Sequence, residues 1–211
     1  NNIPNKTMKP LIISGPNGVG KTTLSDILLK SNNYQSVILD TANLNSRKRV
    51  KQELLKILNR SSIDYLMMSK KKLIGVIIDN IDSVNDKQIV KEIVSLLKSK
   101  YKKKTVVTPI IFTCDKSRLL GDARKYCVEV KFKYPSSFNL FNYAKNIIKK
   151  ENCSIDDIAL NLLVKHSQLD FRRLTNLLYY SFIESSNNHI DCDKVLKILE
   201  NFTNKDKKLD I

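Results

Sequence analysis

Metal-binding side chains are scarce in this sequence. Of its four cysteines, Cys114, Cys127, Cys153 and Cys192, no two stand at C-x-x-C spacing, and the two histidines, His166 and His189, do not complete a cluster. That excludes a zinc framework and predicts structural thiols in a reduced, intracellular setting. Long apolar runs are missing too: none approaches the ~20 residues needed to span a bilayer, so no membrane partner is expected. No signal peptide is expected from its opening residues. The first residue is Asn1 rather than Met, which predicts a fragment of something longer. Glycine is thin, with five residues in the chain, yet three of them fall between positions 15 and 20. Acidic charge is in deficit: 37 Lys and Arg stand against 21 Asp and Glu, a formal net charge of +16. Such a surplus favours a polyanionic partner, nucleic acid above all. The competing explanation is an AT-rich genome, which inflates Lys, Asn and Ile together.

At 211 residues the chain can build one good core, or a core with a small satellite. Apolar strands are readable at Leu11 to Ser14, Val37 to Asp40, Leu73 to Asp79, Thr105 to Thr113 and Val128 to Phe132. Helical spacing separates them, in Val50, Leu54, Ile57 and Leu58 and again in Ile89, Ile93 and Leu97. Uninterrupted apolar strands alternating with helices predict an α/β core with a parallel, five-stranded sheet covered on both faces. The pattern changes at Tyr134-Pro135-Ser136-Ser137. Beyond it only helical periods are visible: Phe138, Phe141 and Ile148; Ile155, Ile158 and Leu162; Leu174, Leu177 and Leu178; Val195, Ile198, Leu199 and Phe202. Ser154 with Asp157 suggests a capped helix start. The expected organisation is therefore an α/β core over residues 1–134, an all-helical lid over 135–203 and a frayed polar tail over 204–211.

Gly15-Pro16-Asn17-Gly18-Val19-Gly20-Lys21-Thr22 fits G-x-x-x-x-G-K-[ST], and Thr23 continues it. The motif follows a strand and precedes a helix carrying Leu24, Ile27 and Leu28, which is the context it requires. Its glycines let backbone N–H groups turn towards phosphates, the helix N-terminus adds partial positive charge, and Lys21 neutralises phosphate oxygens. Thr22 would offer its hydroxyl to Mg²⁺. ATP with Mg²⁺ is the expected cofactor. P-loop proteins also hold the metal shell with an Asp at the end of a neighbouring strand, and Asp79 ends the best candidate. The alternative is that Asp79 caps a following helix, a task Asp82 or Asn85 could also take.

Further segments narrow the reading. Pro109-Ile110-Ile111-Phe112-Thr113-Cys114-Asp115 is a second buried strand ending in a polar residue, and Asp170-Phe171-Arg172-Arg173-Leu174-Thr175-Asn176-Leu177-Leu178 stands in the helical region. With LIISGPNGVGKTT, LDTANLNSRKRVKQEL and the Tyr126-Cys127 that precedes VEVKFKYP, these lie in order along nearly the whole chain. Together they resemble an AAA+ ATPase of the replication factor C clamp-loader family, and within it the large subunit. The resemblance implies an ATP-binding module that packs with related AAA+ subunits and helps to open a sliding clamp onto primer-template DNA, in replication or repair. It implies a sensor 1 role for Asp115, which would orient the attacking water or contact the γ-phosphate. Arg172 would be sensor 2, reaching from the lid to the phosphates and coupling nucleotide state to the angle between domains. Arg47, Lys48 and Arg49 fall where family members face DNA; an ordinary solvated face is the alternative. It implies a nuclear location, or the site of DNA replication.

Three departures qualify that picture. The family's usual Asp-Glu pair reads Asp79-Asn80 here, and an amide cannot act as general base, so turnover is expected to be weak or lost, with Asp82 as a possible substitute. Sensor 1 is commonly Asn, whereas Asp115 brings negative charge towards phosphate. Lys125-Tyr126-Cys127 stands where small subunits carry Ser-Arg-Cys, so the arginine finger is missing, as in large-subunit-like members; Arg124 is close but out of register. Rival readings are an origin-binding or helicase-loading AAA+ ATPase, a small-molecule P-loop kinase, and a scaffold that binds ATP without turnover.

Overall fold

A computed structural model of the chain describes residues 9–41, 52, 56, 73–83, 108–185 and 189–209. The helical spacings at Val50 to Leu58 and Ile89 to Leu97, the basic triplet Arg47, Lys48 and Arg49, and the start of the strand expected from Thr105 lie outside the described residues, apart from helical positions 52 and 56. The chain divides into two compact units, one formed by Asn1–Gly15 with Lys21–Phe132, the other by Pro16–Gly20 with Lys133–Ile211.

The first unit is built on the expected sheet. Strands β1 (Leu11–Ser14), β2 (Tyr34–Asp40), β3 (Leu73–Asp79), β4 (Ile110–Cys114) and β5 (Val128–Lys131) form one five-stranded sheet in the order β2-β3-β4-β1-β5. Every adjacent pair is parallel. The apolar runs become central strands because both of their faces are covered: Val76, Ile77 and Ile78 on β3 and all five residues of β4 are buried. Register places Ile78 opposite Phe112, and Ser14 opposite Cys114. The strand ends carrying Asp79, Thr113 and Ser14 therefore lie side by side at the carboxyl edge of the sheet, where open α/β folds bind their ligands.

Helix α1 (Lys21–Ser31) packs on this sheet, and its buried line is Lys21, Ser25 and Leu29. The expected face of Leu24, Ile27 and Leu28 is only partly right, since Leu24 joins the core while Ile27 and Leu28 are exposed. The turn that delivers Lys21 to the sheet edge sets the helix's rotation, and hydrophobic spacing follows from that. Leu29 settles onto β3 at Gly75, where an added Cβ would come within 2.5 Å of Leu29 Cδ2. Ile13, Ile77 and Ile111 complete that cluster.

The second unit contains α2 (Ser137–Lys150), α3 (Asp157–His166), α4 (Phe171–Ile183) and α5 (Cys192–Leu209). It is not purely helical: β6 (Ser154–Ile155) and β7 (His189–Ile190) form a short parallel pair. Two-residue strands carry too little alternation to be read from sequence. This pairing removes Ser154 from the predicted cap, and Asp156 takes the N-cap position of α3. The shifted start also turns the helix, burying Ala159, Leu160, Leu163 and Val164 and leaving Ile158 exposed. On α2 the buried line is Leu140, Ala144 and Ile148, with Phe138 exposed in the first turn. Leu174, Leu177 and Leu178 on α4, and Val195, Ile198 and Leu199 on α5, are buried as their spacing requires. Helix α5 continues to Leu209 through the stretch expected to fray; no Gly or Pro interrupts it.

Candidate nucleotide-binding site

The carboxyl edge of the sheet gathers four of the residues singled out by sequence. Lys21, the first residue of α1, is buried, with 6% of its side chain exposed, and its Nζ donates to Gly15 O at 2.7 Å and to Asp115 Oδ1 at 2.8 Å. Thr22 donates its hydroxyl to Asp79 Oδ1 at 2.7 Å. The strand β3 therefore delivers a carboxylate to the first turn of α1, while the helix that the capping alternative for Asp79 requires lies outside the described residues. Thr23, next on α1, is exposed.

Residues that sequence reasoning passed over complete the arrangement. Thr113 on β4 is fully buried; its hydroxyl donates to Asp79 Oδ1 and accepts the Asn80 N–H at 3.1 Å. Thr41, just beyond β2, donates to Asp79 O at 3.0 Å and Asn80 O at 2.7 Å. A lone hydroxyl at the end of the otherwise apolar run Ile110-Ile111-Phe112 was the signal for Thr113. It becomes readable only once β4 is known to neighbour β3.

Asn80 adopts φ 53, the left-handed region that Asn tolerates far better than most residues. Its amide identity thus has a backbone reason as well as a chemical consequence. Asp82 neither caps a described helix nor points freely into the site. Its Oδ2 accepts the backbone N–H groups of Asp115 at 2.7 Å and Lys116 at 3.3 Å, tying down the segment that follows β4.

Arg124 is occupied within the chain. Its Nε and one terminal nitrogen donate to Glu129 Oε2 at 3.2 and 2.8 Å, while Ser14 donates to Glu129 Oε1 at 3.0 Å. Hydrogen bonds from Ser117, Arg124 and Ser14 hold the Glu129 carboxyl below the usual carboxylate range. Close by on β4, burial pushes the Cys114 thiol up to about 12, with Asp82 adding to the effect.

The tip of the phosphate loop, Pro16 to Gly20, groups with the helical unit. Within that unit Phe171 donates its N–H to Gly18 O at 3.0 Å, and Asp170 caps α4 by accepting the Arg173 N–H at 2.9 Å. Gly18 has φ 70, and a Cβ there would fall 1.9 Å from Asp170 Cγ, so both conformation and space demand glycine. Val19 is buried and Asn17 exposed. Pro16 and Gly20 are half-buried. Arg172 lies in the first turn of α4 with an exposed side chain, one residue from the Phe171 that bonds the loop. Among the described residues no group of three or more His, Cys, Asp or Glu forms a metal cluster, and no helix is long and apolar enough to cross a membrane.

A family model described as an AAA domain matches residues 7–110. A putative replication factor C large subunit of Acanthamoeba polyphaga mimivirus is 22% identical over 87% of this chain and 42% of its own length. DNA polymerase III subunit gamma of Buchnera aphidicola subsp. Schizaphis graminum is 28% identical, over 84% of this chain and 52% of that protein. The replication factor C large subunit of Methanococcus aeolicus is also 28% identical, over 82% of this chain and 35% of the relative. The chain thus spans about half or less of the length of these relatives. In fold it is similar to the Thermotoga maritima RuvB Holliday junction branch migration motor, with a TM-score of 0.69 at 18% identity, covering 92% of this chain and 61% of that one. The chain therefore has the AAA+ P-loop fold, and in sequence it is similar to clamp-loader subunits, replication factor C large subunits among them.

Proposed function

We propose that the chain binds ATP and Mg²⁺ through its phosphate loop and serves as the large-subunit-like module of a DNA sliding-clamp loader. The observation that carries the reading is the convergence of Lys21, Thr22 and Asp79 at the sheet edge. Their chemistry fits the group: the Thr22 hydroxyl and Asp79 carboxylate are hard oxygen donors suited to Mg²⁺, and the buried Lys21 ammonium suits phosphate. Bound Mg²⁺ would neutralise phosphate charge. The chain's own residues do the rest. Thr113 and Thr41 hold Asp79 and Asn80, Gly20 leaves open space beside the loop, and Arg172 offers a cation for the terminal phosphate. Nucleotide acts in this reading as a conformational ligand, favouring one arrangement by its differential affinity.

The expected partners are related AAA+ subunits, a sliding clamp and primer-template DNA, at intracellular sites of DNA replication. Arg47, Lys48 and Arg49 are proposed for DNA, and the +16 charge supports a polyanionic partner. A second reading, an ATP-binding subunit without turnover, is favoured by Asn80, whose amide cannot accept a proton from water. The test is a co-purification of the chain with clamp-loader subunits and a sliding clamp, with and without ATP, alongside Lys21→Ala. ATP-dependent capture that Lys21→Ala abolishes supports the proposal. Capture of neither subunits nor clamp would remove the clamp-loader assignment, and ATP binding unaffected by Lys21→Ala would remove the site.

A further inference from the structure

We propose that Asp115 is a built-in rival for the terminal phosphate, and that it biases this site towards nucleoside diphosphate over triphosphate. The inference rests on the nucleotide-binding reading above and adds the specificity of that same site.

A buried ammonium is costly without a counter-charge. Here Asp115 supplies one, its Oδ1 2.8 Å from Lys21 Nζ, with 39% of the Asp115 side chain exposed against 6% for Lys21. The carboxylate is not there by the swing of a loose loop. Asp82 accepts the N–H groups of Asp115 and Lys116, fixing the backbone as it leaves β4. In a P-loop the lysine reaches the β- and γ-phosphates. A terminal phosphate that claims Lys21 must therefore displace Asp115 or accept its negative charge within a few ångströms. A diphosphate brings less charge to that point and meets less of this opposition. An Asn at the same position would keep a carbonyl oxygen for Lys21 and remove the repulsion. Neighbouring like charges at the effective dielectric of a partly exposed protein site are worth on the order of a tenfold change in relative affinity, or more.

The experiment is calorimetric titration of the chain with ADP and with ATP, each with Mg²⁺, for the unsubstituted protein, Asp115→Asn and Asp115→Ala. The expected result is tighter binding of ADP than of ATP by the unsubstituted chain. Each substitution should shift the ADP-to-ATP preference towards ATP by about tenfold or more. A preference that stays within about twofold of the original in both variants, while both nucleotides still bind, overturns the role of Asp115 and leaves the nucleotide site standing. No binding of either nucleotide to the folded, unsubstituted chain overturns both.

Discussion

Replacing Thr113 by Val tests whether the site is held together by the hydroxyl the structure places at its centre. Val matches Thr closely in shape, so little changes except the loss of one polar atom. Two interactions go with it: the hydrogen bond given to the Asp79 carboxylate and the one accepted from the Asn80 N–H. A hydrogen bond to a charged group is worth about 1.5–3 kcal/mol, and a buried donor left unpaired costs about 1–3 kcal/mol. Thr113 is fully buried, but Thr22 still donates to Asp79 and offsets part of the loss. A net destabilisation of about 2–4 kcal/mol follows, which for a chain of this size lowers the thermal midpoint by roughly 5–15 °C. Thr113→Ser is the control, since it keeps the hydroxyl and gives up one methyl, at about 1 kcal/mol. Thermal and urea unfolding of the three proteins, followed by circular dichroism, should rank Thr above Ser and Ser clearly above Val. A Val variant as stable as the Ser variant would show that the bridging hydroxyl contributes nothing and that the strand ends are held by packing alone.

Two further outcomes are expected. Asn80→Glu places a residue with a long side chain at φ 53, so it should cost about 1 kcal/mol in urea unfolding while Asn80→Gly costs less; equal stability of the two variants would contradict the left-handed turn. Hydrogen bonds from Ser117, Arg124 and Ser14 hold the Glu129 carboxyl below its ordinary value in the fold, so its contribution is present above that ordinary value and is lost as pH falls through the depressed folded value. Glu129→Gln should therefore be less stable than the original near neutral pH, with the gap closing in acid; a gap independent of pH would mean the carboxylate's charge is irrelevant to Ser117, Arg124 and Ser14.

The parts of this protein legible in sequence are those whose cause is local. A glycine-rich turn before Lys21, and an apolar run ending on Asp79, declare themselves by residue type within a few positions. Buried parallel strands are similarly plain, which is why the five-stranded sheet could be anticipated. What remained hidden depends on pairing or rotation. Thr113 acquires its role only when β4 lies beside β3, and no spacing rule announces that neighbour. The exposed Phe138 and Ile158 show the same limit on the helices, because the face a helix buries is set by where it starts. On α3 that start moved when Ser154 and Ile155 paired with His189 and Ile190. On α1 the demand came from the site itself, which needs Lys21 turned towards the sheet.

The departures from the clamp-loader pattern become coherent when the acids at the sheet edge are followed to their partners. Asp79 accepts from Thr22 and Thr113, Asp82 accepts two backbone N–H groups, and Asp115 neutralises Lys21. Each of the three already has a task. Asn80, at the position where a base would be expected, is fixed in a left-handed turn by Thr113 on its N–H and Thr41 on its carbonyl. The turn favours Asn, so this position fits a backbone need at the expense of proton chemistry. Among the described residues at the sheet edge, a base for water would have to be released from one of these three carboxylates. If Asp115 opposes the terminal phosphate as proposed, the arrangement would suit sensing which nucleotide is bound better than fast turnover.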